Sequence, residues 1–251
     1  MADPCCITGV ATLTPTSADF VTATKSPVGT EILDDPAADP ALVRRMLGDI
    51  ERTNRWFGGR RAMRHGLSYL IDRSDRGRHL TLLDVGTGAG DLPLDAARWA
   101  ARRGITLGLL GLERIPAAAR LARLAGFPVM IGCAGSLPLR ARSVDIVLVS
   151  QLVHHLDGTA ASALALACST IARRGVIIAD LRQSRLAAAA FPVGARFLRL
   201  HPATITDGVT SIARGFSVAT LRDVVERAGQ RSVHVATVPI ARVVAAWRTD
   251  R

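Results

Sequence analysis

Asp84, Gly86, Gly88 and Gly90 stand at alternate positions in the stretch LLDVGTGAGDLPLDAARWA, residues 82–100. An acid closing an apolar run, then glycines, then an amphipathic stretch reads as a strand, a tight turn and a helix N-terminus. Exposed N–H groups at such a helix start favour an anionic ligand, so the pattern suits a phosphate cradle or a nucleotide-binding turn. Two familiar forms of this turn fail on spacing. The phosphate loop G-x-x-x-x-G-K-[ST] needs a lysine that is absent here. The dinucleotide fingerprint G-x-G-x-x-G would put its last glycine where Asp91 stands. Further on, Glu113 closes a second apolar run 23 positions after Gly90, close to the separation of an acid that binds ribose hydroxyls. His154 and His155 follow a later apolar run, and histidine is the side chain best poised to exchange a proton near neutral pH.

Asp84-x-Gly86-x-Gly88-x-Gly90 resembles the first motif of the class I S-adenosylmethionine-dependent methyltransferases. The resemblance implies S-adenosyl-L-methionine as cofactor, with its ammonium paired by the strand-end Asp84 and its carboxylate near a helix N-terminus. The backbone of Gly86, Thr87, Gly88 and Gly90 would then approach the sulfonium and ribose. LLGLERIPAAARLAR resembles the second motif, which implies a ribose role for Glu113, with Arg114 beside it. GCAGSLPL, residues 132–139, is similar to the family's G-D-A-x-x-L-P-F segment, but Cys133 stands where an aspartate accepts the adenine amino group. A thiol is a poor acceptor, so the backbone around Ala134 or the Ser136 hydroxyl is expected to make that contact. SVDIVLVSQLVHHLD, residues 143–157, resembles the fourth-strand motif and implies that Ser150, Gln151 and the residues to Leu156 face the transferred methyl. RRGVIIADLRQS and FSVATLRDVVERAG resemble the fifth strand and the helix before the final hairpin, so the resemblance spans Thr81 to Arg248.

Methyl transfer needs positioning, plus a base where the acceptor is a hydroxyl. Helical neighbours point about 100° apart, so one of the two histidines is expected in the cleft, with His155 favoured over His154. The competing reading has a histidine that orients the backbone or stacks on the cofactor. No metal is expected: Asp157 and Asp180 are possible ligands, but the sequence has neither a close carboxylate cluster nor an H-x-x-x-H spacing.

These residues must be held by a suitable scaffold. From His79 onward, short apolar runs alternate with helical ones: strands over 80–85, 106–112, 128–132, 144–150 and 176–181, and helices over 92–103, 116–125 and 159–173. This alternation predicts an α/β fold with a parallel sheet covered by helices on both faces. SVHVATV and ARVVAAWR, barely separated by Pro239 and Ile240, predict an antiparallel C-terminal hairpin. The resemblance completes this as a Rossmann-like, doubly wound, seven-stranded sheet. Residues 1–40 lack any sustained period and read as a flexible leader. Residues 41–78 read as a helical cap interrupted at Gly58-Gly59, residues 79–251 as the core, and a stretch near 182–215 as a helical lid insertion. Substrate contacts are expected from the cap (Asn54, Trp56, Phe57) and the lid (Phe191, Phe197, Leu198, His201), as an apolar pocket with few polar anchors suits a small molecule.

With 49% apolar residues in 251, the chain can bury a sizeable core. The net charge of +11 is spread along the chain and almost wholly arginine, Lys25 being the single lysine. Nucleic-acid footprints are usually clustered on one face, so nucleic acid is an unfavoured partner. Four cysteines form no metal or disulfide pattern. No apolar run approaches a membrane span, and a cytoplasmic location is the expectation. In layout the chain resembles bacterial small-molecule, polyketide- and quinone-type methyltransferases, which implies O-methylation of a phenolic or polyketide-type hydroxyl. Its rivals are C-methylation of a quinone or aromatic ring, a nucleic-acid methyltransferase, and a catalytically degenerate binding fold.

Overall fold

A computed structural model describes residues 31–35 and 37–249; the greater part of the expected leader, residues 1–30, lies outside them. The sheet has seven strands: β1 His79–Val85, β2 Thr106–Glu113, β3 Val129–Ile131, β4 Val144–Ser150, β5 Ala172–Leu181, β6 Val233–Val238 and β7 Arg242–Arg248. Their order is β3-β2-β1-β4-β5-β7-β6. The first five run parallel, and β7 pairs antiparallel with both β5 and β6. The chain moves outward from β1 to β3 and then returns to start β4 on the other side of β1. That reversal opens a crevice beyond the carboxyl ends of β1 and β4, where α/β sheets bind ligands.

Alternation along the strands feeds two cores. Leu83, Val147, Val149, Val176, Ile178, Val243 and Trp247 face α5 (Gly158–Ile171) and α8 (Val218–Arg227). Leu82, Ile146, Leu148, Ile177, Val244 and Ala246 face α2 (Gly59–Leu70) and α3 (Asp91–Ala101). A one-residue slip would exchange these faces, so the two hydrophobic layers fix the register. Gly66 lets α2 lie directly on the sheet, since a Cβ there would come 2.4 Å from the Ile177 side chain.

Two of the boundaries that differ from the sequence expectation have a visible physical cause. The helix expected to reach Arg173 ends at Ile171, and β5 starts at Ala172. Arg173 and Arg174 enter a strand because each charge has a carboxylate partner: Arg173 Nε lies 2.9 Å from Asp145 Oδ1, and Arg174 Nη1 2.7 Å from Asp75 Oδ1. The final hairpin turns through Ile240 and Ala241, both left-handed at φ 66° and 51°. That is the twist a tight hairpin demands, here met without glycine.

Before the sheet, α1 (Pro40–Trp56) starts at Asp39, whose carboxylate caps the Leu42 N–H. It ends before Gly58, left-handed at φ 84°. The 182–215 insertion forms two helices, α6 (Arg185–Phe197) and α7 (Pro202–Arg214), with α4 (Pro116–Leu124) completing the set.

Candidate functional site

A cavity of about 1530 Å³ opens at the carboxyl ends of β1, β2 and β4. Its walls come from α1, α6, α7, the turn after β1, and a strap of residues 31–34 whose Ile32–Asp34 part is a short 3-10 turn. The volume exceeds the roughly 300–1,000 Å³ of a single small-ligand pocket, so two molecules can sit side by side.

The glycine turn builds one wall. Gly86 and Thr87 donate their N–H groups to the Leu112 carbonyl at 2.8 and 3.1 Å. Glu113 then ties the turn to β2: its Oε2 accepts from Gly88 N–H at 2.8 Å and its Oε1 from Ile115 N–H at 2.9 Å. Each oxygen retains a lone pair that the protein does not use. Gly88 lines the cavity with φ 56°. Gly90 does not line it; with φ 86°, its missing Cβ makes room for the Phe127 ring, which would lie 2.5 Å away. The third glycine therefore serves packing.

Beside the turn sits a buried carboxyl with an unused oxygen. Asp84 is 3% exposed; its Oδ2 accepts from Thr87 Oγ1 at 2.8 Å, and its Oδ1 has no partner. Burial pushes its carboxyl up to about 8, aided by the charges of Asp91 and Glu113 and opposed by the Thr87 hydrogen bond. Asp91, on the first turn of α3, is likewise raised by burial to about 6, against its hydrogen bond from Asn54. Asn54 Nδ2 reaches Asp91 at 3.2 Å, and Asn54 Oδ1 accepts from Gln151 Nε2 at 2.7 Å. This chain fastens α1 to the turn and to the exit of β4. The buried acids with an orphaned oxygen call for a cation, which a ligand ammonium would supply.

Opposite them, the exit of β4 carries the histidines. Both line the cavity, whereas helical spacing predicts that one would. They share a 3-10 turn, Val153–His155, and their rings lie 4.2 Å apart at 36°. His154 is 4% exposed, with Nδ1 2.7 Å from Asp180 Oδ1 and Nε2 without a partner. Asp180, at the end of β5, also accepts from the amides of Leu181 and His154. Burial alone would raise its carboxyl, but the charge and hydrogen bond of His154 and the Leu181 amide hold it below its ordinary value. His155 Nδ1 lies 2.9 Å from Asp34 Oδ1 on the strap. Burial would lower the His155 imidazole, but Asp34 and Glu31 carry it above its ordinary value. Asp34 is held down at about 2: His155 and the Glu31 amide outweigh burial.

Of the other residues singled out in the sequence, Arg114, Cys133, Ala134, Ser150, Gln151, Asn54 and Phe57 line the cavity. Four expected substrate residues, Leu198 among them, do not. Trp56 is 58% exposed on the outer face of α1 with Arg55 over its ring. Phe197 is 83% exposed at the end of α6. His201 caps α7, its Nδ1 accepting from the Ala203 N–H. The helical phase of α1 and α6 turns Trp56 and Phe197 outward, while the His201 ring is taken up by its capping bond; Phe191, also expected in the lid, lines the cavity edge-on to Phe57 at 5.5 Å. Asp180 gave a weak signal as an acid at a strand end one strand beyond the histidines. Glu31, Asp34 and Arg214 gave none, because they meet His155 only through folding. Arg242 also lines the cavity; buried, it donates through Nε to the Phe57 carbonyl at 2.9 Å, and burial lowers it to about 10 against the charges of Asp180 and Asp91.

Residues 83–179 match a family model described as a methyltransferase domain. A search of curated proteins finds no match. Among solved structures, an S-adenosylmethionine-dependent methyltransferase from Aquifex aeolicus is 16% identical with a TM-score of 0.57, covering 84% of this chain and 98% of its own. Human N-acetylserotonin methyltransferase in complex with S-adenosylmethionine is 13% identical with a TM-score of 0.58, over 88% of this chain and 58% of that one. A Nostoc punctiforme protein assigned as an O-methyltransferase is 14% identical with a TM-score of 0.55, over 83% of this chain. The chain spans 60% of that protein's length. At these identities the likeness is one of fold.

Proposed function

We propose that this chain, a class I S-adenosylmethionine-dependent methyltransferase by its domain and fold, methylates a hydroxyl of a small phenolic or polyketide-type acceptor, with His154 taking up the proton. S-adenosylmethionine supplies, when bound, a methyl group on a sulfonium that leaves as a thioether. Asp84 and Asp91 hold the ammonium end, Glu113 accepts from the ribose, and the backbone at Gly88 sets the closest approach. The observation that carries the reading is the pairing of two unmet needs in one cavity: the orphaned Asp84 oxygen and the unpartnered His154 Nε2.

Asp180 fixes the tautomer. Its carboxylate accepts from His154 Nδ1–H, which leaves the Nε2 lone pair free to take a proton. As the acceptor oxygen is methylated, His154 Nε2 would take up the hydroxyl proton. The imidazolium so formed is stabilised by Asp180, a role in which a positioned base is worth about 10²–10⁴ in rate. His155 serves less well, because Asp34 and Glu31 carry its imidazole above its ordinary value and so favour the form that already holds the proton. Leu47, Ile50, Phe57 and Phe191 give the acceptor an apolar berth. The lining favours a small molecule over a nucleic acid: Glu31, Asp34, Asp91, Glu113, Asp157 and Asp207 outnumber Arg114, Arg214 and Arg242, and would repel a polyanion.

Calorimetric titration with S-adenosylmethionine and S-adenosylhomocysteine, with Gly88→Arg as the blocked-site control, tests the cofactor. Incubation with methyl-labelled cofactor and a panel of phenols, followed by NMR of the product, tests the acceptor. Label found only on ring carbon refutes the hydroxyl assignment, and no saturable binding by folded protein refutes the enzyme reading.

A further inference from the structure

Glu31, His154 and His155 converge although 123 positions separate the first two. Each offers a ligand atom within 4.8 Å of the other two. His154 Nε2 lies 3.9 Å from Glu31 Oε1, and His155 Nε2 lies 3.8 Å from Glu31 Oε2. These gaps are too long for hydrogen bonds. They exceed by a few tenths of an ångström the roughly 3.4 Å between ligands at tetrahedral angles around an ion with bonds near 2.0–2.1 Å.

The far side of each ring is also arranged. His154 Nδ1 meets Asp180 at 2.7 Å and His155 Nδ1 meets Asp34 at 2.9 Å. A carboxylate on Nδ1–H selects the tautomer whose Nε2 can ligate, which is the usual support of metal-bound histidine. His154 provides a second, independent sign: its side chain is 2% exposed, yet its Nε2 has no partner.

The local charge favours a divalent cation. Glu31, Asp34, Asp180 and Asp207 surround the rings, against Arg214, whose Nη1 is 3.2 Å from Glu31 Oε1 and 3.4 Å from His155 Nδ1. Four carboxylates against one guanidinium leave acidic groups in excess beside the two imidazoles. The Glu31 carboxylate must shift from Arg214 toward the rings, and its remaining oxygen keeps that ion pair.

We propose that Glu31, His154 and His155 form a binding site for a divalent transition metal ion of the zinc type. Two imidazoles and one carboxylate leave a ligand position open toward the cavity. If His154 is the proton acceptor described above, the same Nε2 cannot both ligate and accept a proton, so an occupied site silences methyl transfer.

The test uses metal-free, full-length protein. Zn²⁺ is titrated in competition with a chromophoric chelator, and Co²⁺ is added separately to read its visible absorption. One Zn²⁺ per chain is expected, with the intense Co²⁺ bands of a four- or five-coordinate site. Glu31→Gln and His155→Ala should each weaken Zn²⁺ binding at least about tenfold. His234→Ala should leave it unchanged; it controls for the half-buried pair His65 and His234, whose Nε2 atoms are 3.1 Å apart. A readout on unmutated protein is the loss, with Zn²⁺ present, of diethyl pyrocarbonate modification at His155. Failure to hold Zn²⁺, or binding abolished by His234→Ala but unaltered in Glu31→Gln and His155→Ala, overturns the site. Zn²⁺ bound at these residues with undiminished methyl transfer upholds the site and refutes only His154 as the base.

Discussion

Cofactor affinity should climb with pH between about 6 and 7.5 because Asp84 must lose a proton to receive a cation. In the ligand-free site, burial holds its carboxyl at about 8 against an ordinary 3.8. At about 1.4 kcal/mol for each tenfold step, ionising Asp84 there costs on the order of 6 kcal/mol. At pH 7 about nine-tenths of the free protein carries this proton, so binding the ammonium releases about 0.9 proton per site. The affinity should rise close to tenfold per pH unit and level off near pH 8, where an α-ammonium begins to titrate at about 7.7–8.0. Calorimetry in buffers of different ionisation enthalpy reads the proton directly. The sign also fixes stability: a carboxyl raised on folding keeps full stability below its unfolded value near 3.8 and loses it as pH rises toward 8. Asp84→Asn should therefore melt at a higher temperature than the parent at pH 8 without ligand, and bind the cofactor weakly with no pH slope. An affinity flat from pH 6 to 7.5, with binding heat independent of buffer, would refute the pairing of Asp84 with the ammonium.

His154→Gln should lower kcat by about 10²–10⁴ while cofactor Kd stays put; an unchanged kcat removes it as the base. Asp180→Asn strips an acceptor from a buried group that takes bonds from His154 and Leu181. It should cost about 1–3 kcal/mol in urea unfolding, and retained stability would speak against that network. Gly90→Ala combines a left-handed backbone with a 2.5 Å approach to Phe127. A loss of about 1–3 kcal/mol is expected, and an unmoved unfolding midpoint would contradict the packing role. Phe57→Ala should raise acceptor KM severalfold, whereas Phe197→Ala, on the exposed end of α6, should leave it alone; the reverse result would place the acceptor outside the cavity.

The sequence by itself determined the order of strands and helices, the glycine turn and the acid at the end of β2. These are local: a strand's alternation, a turn's missing side chains and a helix start are written in adjacent residues. It also located the histidines at the exit of β4, since the end of a parallel strand is where such a sheet opens. It could not assign their roles. Adjacent residues on an α-helix diverge, but a single 3-10 turn, set by where β4 ends and α5 begins, brings both rings to the cavity. Which nitrogen is free depends on Asp180, 26 positions later on the neighbouring strand, and on Asp34, 121 positions earlier on the strap. The phase of α1 and α6 likewise decided that Phe57 and Phe191 face inward while Trp56 and Phe197 face water, because each aromatic neighbours others on a helix amphipathic in more than one reading. Pairing across strands and the rotation of docked helices are long-range contacts, and only the packed fold fixes them.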